Sequence, residues 1–175
     1  MKKIFFSLFF VNSSICFADT QSEIIRWMQS SIKNNDFIKI IPEINTLMKN
    51  SYVLLTDKND PCKTNLIDSG FIKIFDNKNK DLNIEEKYET RYFIDFKYLN
   101  PDGIKIEENK NKYFSLIIPS SFNKQITSLL KNNDGEKYEK VSEFSINFND
   151  SEDIQKLSNA FKRSITMCGG IPDPF

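Results

Sequence analysis

Tyr92-Phe93-Ile94-Asp95-Phe96-Lys97-Tyr98-Leu99-Asn100-Pro101-Asp102-Gly103-Ile104-Lys105-Ile106 is the stretch on which the fold turns. Tyr92, Ile94, Phe96 and Tyr98 alternate with Phe93, Asp95 and Lys97, the period-two pattern of a strand with one covered face. Asn100 to Gly103 then reads as a turn, because proline presets φ at its second position and glycine tolerates the backbone at its exit. Ile104 and Ile106 resume the alternation, Asn109 to Asn111 turns the chain again, and Phe114, Leu116 and Ile118 supply the next inward face.

Toward the C-terminus, Ser120 to Lys131 fits two states. Phe122, Ile126, Leu129 and Leu130 sit at helical spacing, while Gln125 to Leu130 also suits a strand entering the turn Asn132-Asn133-Asp134-Gly135. The strand is preferred, since the Asp-Gly pair favours a hairpin with the segment after it. Phe144, Ile146 and Phe148 alternate as a final strand. Ile154, Leu157, Phe161, Ile165 and Cys168 then form the apolar stripe of a closing helix. Asp150 or Ser151 caps it, Glu152 and Asp153 favour its positive end, and Gly169-Gly170 stops it.

Toward the N-terminus, Phe71 to Phe75 reads as a strand and Asp76 to Lys87 as a charged connection. Asp57 to Thr64, with Pro61 and Cys62, reads as a loop, and Tyr52 to Thr56 as a short apolar run. Pro42 to Lys49 suits a short helix with proline in its first turn. Gln21 to Asn35 is a helix striped by Ile24, Met28 and Ile32. The fold predicted is α+β: an N-terminal helix or two, an antiparallel β-meander of about five to seven strands, and a C-terminal helix packed on the sheet.

Residues 1–18 read as a cleaved signal peptide. Lys2 and Lys3 precede the apolar run Ile4 to Val11, and Cys16 and Ala18 occupy the positions an export peptidase inspects. Cleavage before Asp19 leaves residues 19–170 as one α+β domain and 171–175 as a flexible tail. The predicted location is therefore periplasmic or secreted. The apolar run falls short of the roughly 20 residues that span a bilayer, and no transmembrane segment is expected in the mature chain.

In an oxidising space, the two remaining cysteines, Cys62 and Cys168, predict one disulfide; the alternative is two buried thiols. The whole chain carries 24 basic and 24 acidic residues, and loss of Lys2 and Lys3 leaves it slightly acidic. That balance argues against nucleic acid as a partner, which demands clustered cations. There is no histidine, which removes Ser-His and Cys-His nucleophile pairs, His-ligated zinc and the commonest general base.

Motif tests end mostly in exclusions. In Asp76-Asn77-Lys78-Asn79-Lys80-Asp81, lysines occupy positions where a calcium loop needs oxygen ligands. Glu85-Glu86 and Glu107-Glu108 are strand neighbours that point to opposite faces. Ser120, Ser121 and Lys124 meet the minimum for a Ser-Lys dyad but suit a cap or turn far better. No catalytic, cofactor-binding or metal residue is assigned, and no cofactor is expected. Trp27, the single tryptophan, is either a helix-to-sheet packing residue or an interface anchor. Phe93, outward on its strand, is the second candidate interface residue.

The stretch Tyr92 to Gly170 resembles small exported bacterial proteins that end in a strand meander closed by a helix, as in pleckstrin-homology-like folds. The likeness rests on Asn100-Pro101-Asp102-Gly103-Ile104, on Phe144 to Phe148 and on Met167-Cys168-Gly169-Gly170; it implies architecture. The function expected is a non-enzymatic exported interaction protein with a protein partner, of the kind that neutralises a toxin delivered into the periplasm. A small-molecule or lipid-binding module is the alternative, and a hydrolase using carboxylates or a Ser-Lys pair ranks third.

Overall fold

The computed structural model describes residues 20–35, 37–41, 46–75, 83–109, 113–121 and 124–171. The expected signal peptide, Pro42 with its neighbours, most of the 76–87 connection, Phe122 and the tail beyond Ile171 lie outside them.

Helix α1 (Gln21–Lys33) opens on a reciprocal cap. The Glu23 N–H donates to Thr20 Oγ1, and the Thr20 N–H donates to the Glu23 carboxylate at 2.7 Å. Its Ile24, Ile25, Met28 and Ile32 are buried. Nine strands follow: β1 (Phe37–Ile41), β2 (Thr46–Thr56), β3 (Lys63–Phe75), β4 (Asn83–Asp95), β5 (Lys105–Glu108), β6 (Phe114–Pro119), β7 (Ile126–Asn132), β8 (Gly135–Val141) and β9 (Glu143–Phe148). Helix α2 (Ser151–Met167) closes the chain, capped by the Asp150 carboxylate, and Gly169 past its end takes a positive φ of 78°.

The strands form two antiparallel sheets. Six pair in the order β1-β2-β3-β4-β7-β8, and three in the order β5-β6-β9. The fold is thus α+β with terminal helices, as expected. Its strands are more numerous than the predicted meander, however, and chain order is broken where β4 pairs with β7. The core draws Phe37, Tyr52, Leu54, Leu66, Ile94 and Ile126 from one face of the large sheet. It packs them with Leu116, Ile118, Phe144 and Ile146 of the small sheet and with the buried stripes of both helices.

Four local readings change. The helix expected over Pro42 to Lys49 is replaced, from Thr46 on, by β2, which pairs with β1 through Ile41↔Thr46 and with β3 through Thr46↔Ile74. Phe37–Ile41, to which the sequence pattern assigns no element, is a strand with alternating burial. A strand hydrogen-bonded on both sides outweighs a weak local helix preference. Second, β3 begins at Lys63, inside the expected loop, rather than at Phe71. Third, β4 already begins at Asn83, inside the expected connection. Fourth, the quoted strand ends at Asp95, whose carboxylate accepts the Lys97 N–H and bends Phe96–Tyr98 into a single 3-10 turn. The turn at 100–103 stands as read: the Asn100 side-chain oxygen accepts from the N–H groups of Asp102 and Gly103.

Cys62 and Cys168 sit at bonding distance, with sulfurs 2.03 Å apart across a sequence separation of 106. The pair ties the loop before β3 to the C-terminal end of α2, and Gln21 Nε2 of α1 donates to the Cys168 sulfur at 3.3 Å. One covalent link therefore gathers both helices and the large sheet at a single corner.

Candidate functional site

Two regions of the large sheet carry features that packing alone leaves unexplained. The first is its outer face. The residues that β2, β3, β4 and β7 give to the main core cluster all point the other way. The register aligns Val53, Ile67, Arg91, Leu129 and Tyr138 in one row and Leu55, Asn65, Phe93, Thr127 and Lys140 in the next. Phe93 is 39% exposed, Leu55 47% and Tyr138 67%. Leu129 is buried on this same face yet lies outside the main core cluster. The result is an apolar strip on a sheet face with no layer over it among the described residues. Toward the far end of the strands the strip runs into a shallow groove of about 600 Å³, lined by Lys49, Ser51, Ser69, Phe71, Lys87 and Lys131.

The second region is a polar corner on the inner face, just past the core. Asn50, Tyr52, Asp68, Tyr88 and Tyr92 share that face by strand parity. Asn50 Nδ2 donates to Asp68 Oδ1 at 3.2 Å and to the Tyr52 hydroxyl at 3.3 Å. That hydroxyl also accepts the Asn147 N–H of β9 at 3.2 Å, which links the two sheets. Gly70 leaves the space this corner needs: a Cβ there would stand 2.0 Å from the Lys49 carbonyl oxygen and 3.1 Å from the Tyr88 hydroxyl. No cation among the described residues pairs with Asp68. Burial therefore pushes its carboxyl up to about 7, against only the Asn50 hydrogen bond pulling down. Tyr92 is raised to about 12, first by burial and then by the Asp68 charge; Tyr52 and Tyr88 shift upward from the same causes.

Of the two candidate interface residues, Trp27 is 42% exposed and borders a groove of about 500 Å³ between α1 and α2, with Glu23, Lys156 and Arg163. It lies on the inner side of the large sheet and Phe93 on the outer side, so the fold does not bring the two together. Ser120 serves as a turn residue, its hydroxyl donating to the carbonyls of Lys124 and Ser142. Glu107 is ion-paired with Lys105 at 2.8 Å. No group of acidic or cysteine side chains among the described residues is arranged to hold a metal, and no helix among them is long and apolar enough to cross a membrane.

The Asp68 corner escapes the sequence reading because that reading begins β3 at Phe71. Extended back to Lys63, the same alternation runs Thr64, Leu66, Asp68, Gly70, Ile72. It sets one acid on a face of otherwise small or apolar residues, and that is the signal by which the sequence marks it. Comparison with protein-family models, with curated proteins and with solved structures finds no match to this chain.

Proposed function

We propose that this chain is an exported, non-enzymatic protein-binding module. It docks a protein partner on the outer face of the six-stranded sheet, and neutralising a toxin delivered into the periplasm is the activity that fits best. The uncovered apolar strip around Phe93 carries this reading. Soluble proteins leave few contiguous apolar patches exposed without a binding role, and an aromatic at the centre of such a strip is a favoured anchor. The Cys62–Cys168 pair supports an oxidising compartment, in keeping with the export signal read in residues 1–18. The likeness of the C-terminal half to pleckstrin-homology-like endings fits a scaffold that presents surfaces. A hydrolase is disfavoured because Glu107 and Glu143, on the edge strands of the small sheet, are both exposed and Glu107 is already paired with Lys105.

The test has two steps. Material purified from the periplasm is expected to begin at Asp19; recovery from the cytoplasm with Met1 intact rules out export. Mature protein, immobilised, is then offered periplasmic extract and a rival strain's secretions beside a Phe93→Asp variant of equal stability. The expected result is a protein retained by the parent and reduced about tenfold or more on the variant, the scale of an interface anchor. Equal retention on both, or none on either, sinks the docking surface.

A further inference from the structure

The outer face of the large sheet carries cations as well as its apolar strip. Arg91 stands in the middle of the row Val53, Ile67, Arg91, Leu129, Tyr138. Its guanidinium makes no hydrogen bond among the described residues. The Nε–H is covered without an acceptor, and Nη2 stands 3.5 Å from the Glu89 carboxylate. Covered donors are rarely left so, and the five N–H groups of a guanidinium match a carboxylate two at a time. The side chain is still 39% exposed, so a partner reaches it from outside.

The groove that continues the strip is lined by three lysines and a single acid, Glu89. Lys49 and Lys87 share a row with Phe71 between them, about 10 Å apart across two strand spacings. The next row holds Ser51, Ser69, Glu89 and Lys131. Lys87 faces Glu85 at 3.6 Å and Lys131 faces Glu136 at 2.6 Å. Half-buried Lys49 has no ion pair among the described residues. Ion pairs as exposed as these contribute little and are readily exchanged for a partner's carboxylate. In a chain with 24 basic and 24 acidic residues, one face thus presents two cations, Lys49 and Arg91, that the fold's own acids engage loosely or not at all.

We propose that the protein partner on this face presents an acidic segment, with one carboxylate on the Arg91 guanidinium and another over the groove beside Lys49. This rests on the outer face being the docking surface and adds the chemistry of what docks there. Charge complementarity favours such a segment. A carboxylate brings Arg91 the acceptors it lacks, while Phe93 and Leu55 in the adjoining row receive apolar side chains of the same segment. An anionic membrane or a nucleic acid is a poorer occupant. Those polyanions are held by clustered cations, whereas here Glu85, Glu89 and Glu136 are set among the cations. Interleaved acids suit discrete carboxylates at fixed positions.

The probe is a doubly capped Glu-Leu-Glu peptide, with capped Gln-Leu-Gln as its neutral twin. Each is titrated into the mature protein while the Arg91 Nε–H and the backbone amides of Lys49, Ser69 and Lys131 are followed by NMR. The acidic peptide alone is expected to give saturable shifts centred on these groups, and to bind about tenfold more weakly to Arg91→Gln. Lys49→Gln is expected to weaken it as well. Neither side chain makes a hydrogen bond among the described residues, so both variants are expected to stay folded. Shifts that fail to saturate by about 20 mM, that the glutamine twin reproduces, or that persist unchanged in Arg91→Gln overturn the proposal. So does cosedimentation with phosphatidylglycerol vesicles that Arg91→Gln abolishes, which assigns the face to a membrane. Arg91→Gln then joins Phe93→Asp in the capture assay, which judges the docking surface separately. Loss of the captured protein on both variants supports both readings; loss on Phe93→Asp alone keeps the docking surface and removes the acidic segment.

Discussion

Replacing both Cys62 and Cys168 by alanine lowers the thermal unfolding midpoint by about 10–20 °C. The bridge closes a loop of 106 residues, more than half of the 175-residue chain, and the chain-entropy account assigns such a loop about 4–5 kcal/mol. For a domain of this size each kcal/mol moves the midpoint by about 2–4 °C. The link also fastens the end of α2, whose Ile165 and Phe161 are wholly buried, to the strand that starts at Lys63. The double variant is the cleaner test, because a single one leaves an unpaired thiol. A loss smaller than about 3 °C, or free thiols at both positions in freshly isolated protein, would show that the bridge is dispensable.

Asp68→Asn is expected to do the opposite at neutral and higher pH. An ordinary unfolded aspartate titrates near 3.9, whereas Asp68 in the fold titrates at about 7. Below about pH 4 both states hold the proton, and Asp68 adds no pH dependence. Between about pH 4 and 7 the unfolded chain gives up the proton while the folded one keeps it. Stability therefore falls as pH rises through that window, and above it the full penalty remains. For a half-buried group the penalty is about 2–4 kcal/mol. Asparagine removes it while its carbonyl still accepts from Asn50. Unfolding at pH 4 and pH 8 should show the two proteins equal at pH 4 and the variant about 5–15 °C more stable at pH 8. A variant less stable than the parent at pH 8 would mean that the carboxylate already has a partner in the fold.

Both expectations rest on strands that the sequence marks unevenly. The turn at Asn100 is legible because an asparagine side chain and a glycine act within four residues. The stripe of α2 and the final strand from Phe144 are legible because their periods repeat over their whole length. β1 and β2 are not. Ile38 and Ile40 point outward on an edge strand, and Pro42 imitates a helix start. Phe93 reads as outward from its strand alternation alone, but the sequence holds no sign that none of the described residues would form a layer over that sheet face.

The chain alone determined that one helix opens the domain and another closes it, that strands lie between them, and that Cys62 and Cys168 are the pair to join. Each of these follows from local periodicity, capping chemistry or the count of a reactive residue. Only the tertiary structure decided which strands are neighbours, and with that which residues meet. Asp68, Asn50 and Tyr88 sit on three strands, and Asn147 comes from a second sheet. Pairing between distant segments is set by burial summed over the whole core, which no short window of sequence contains.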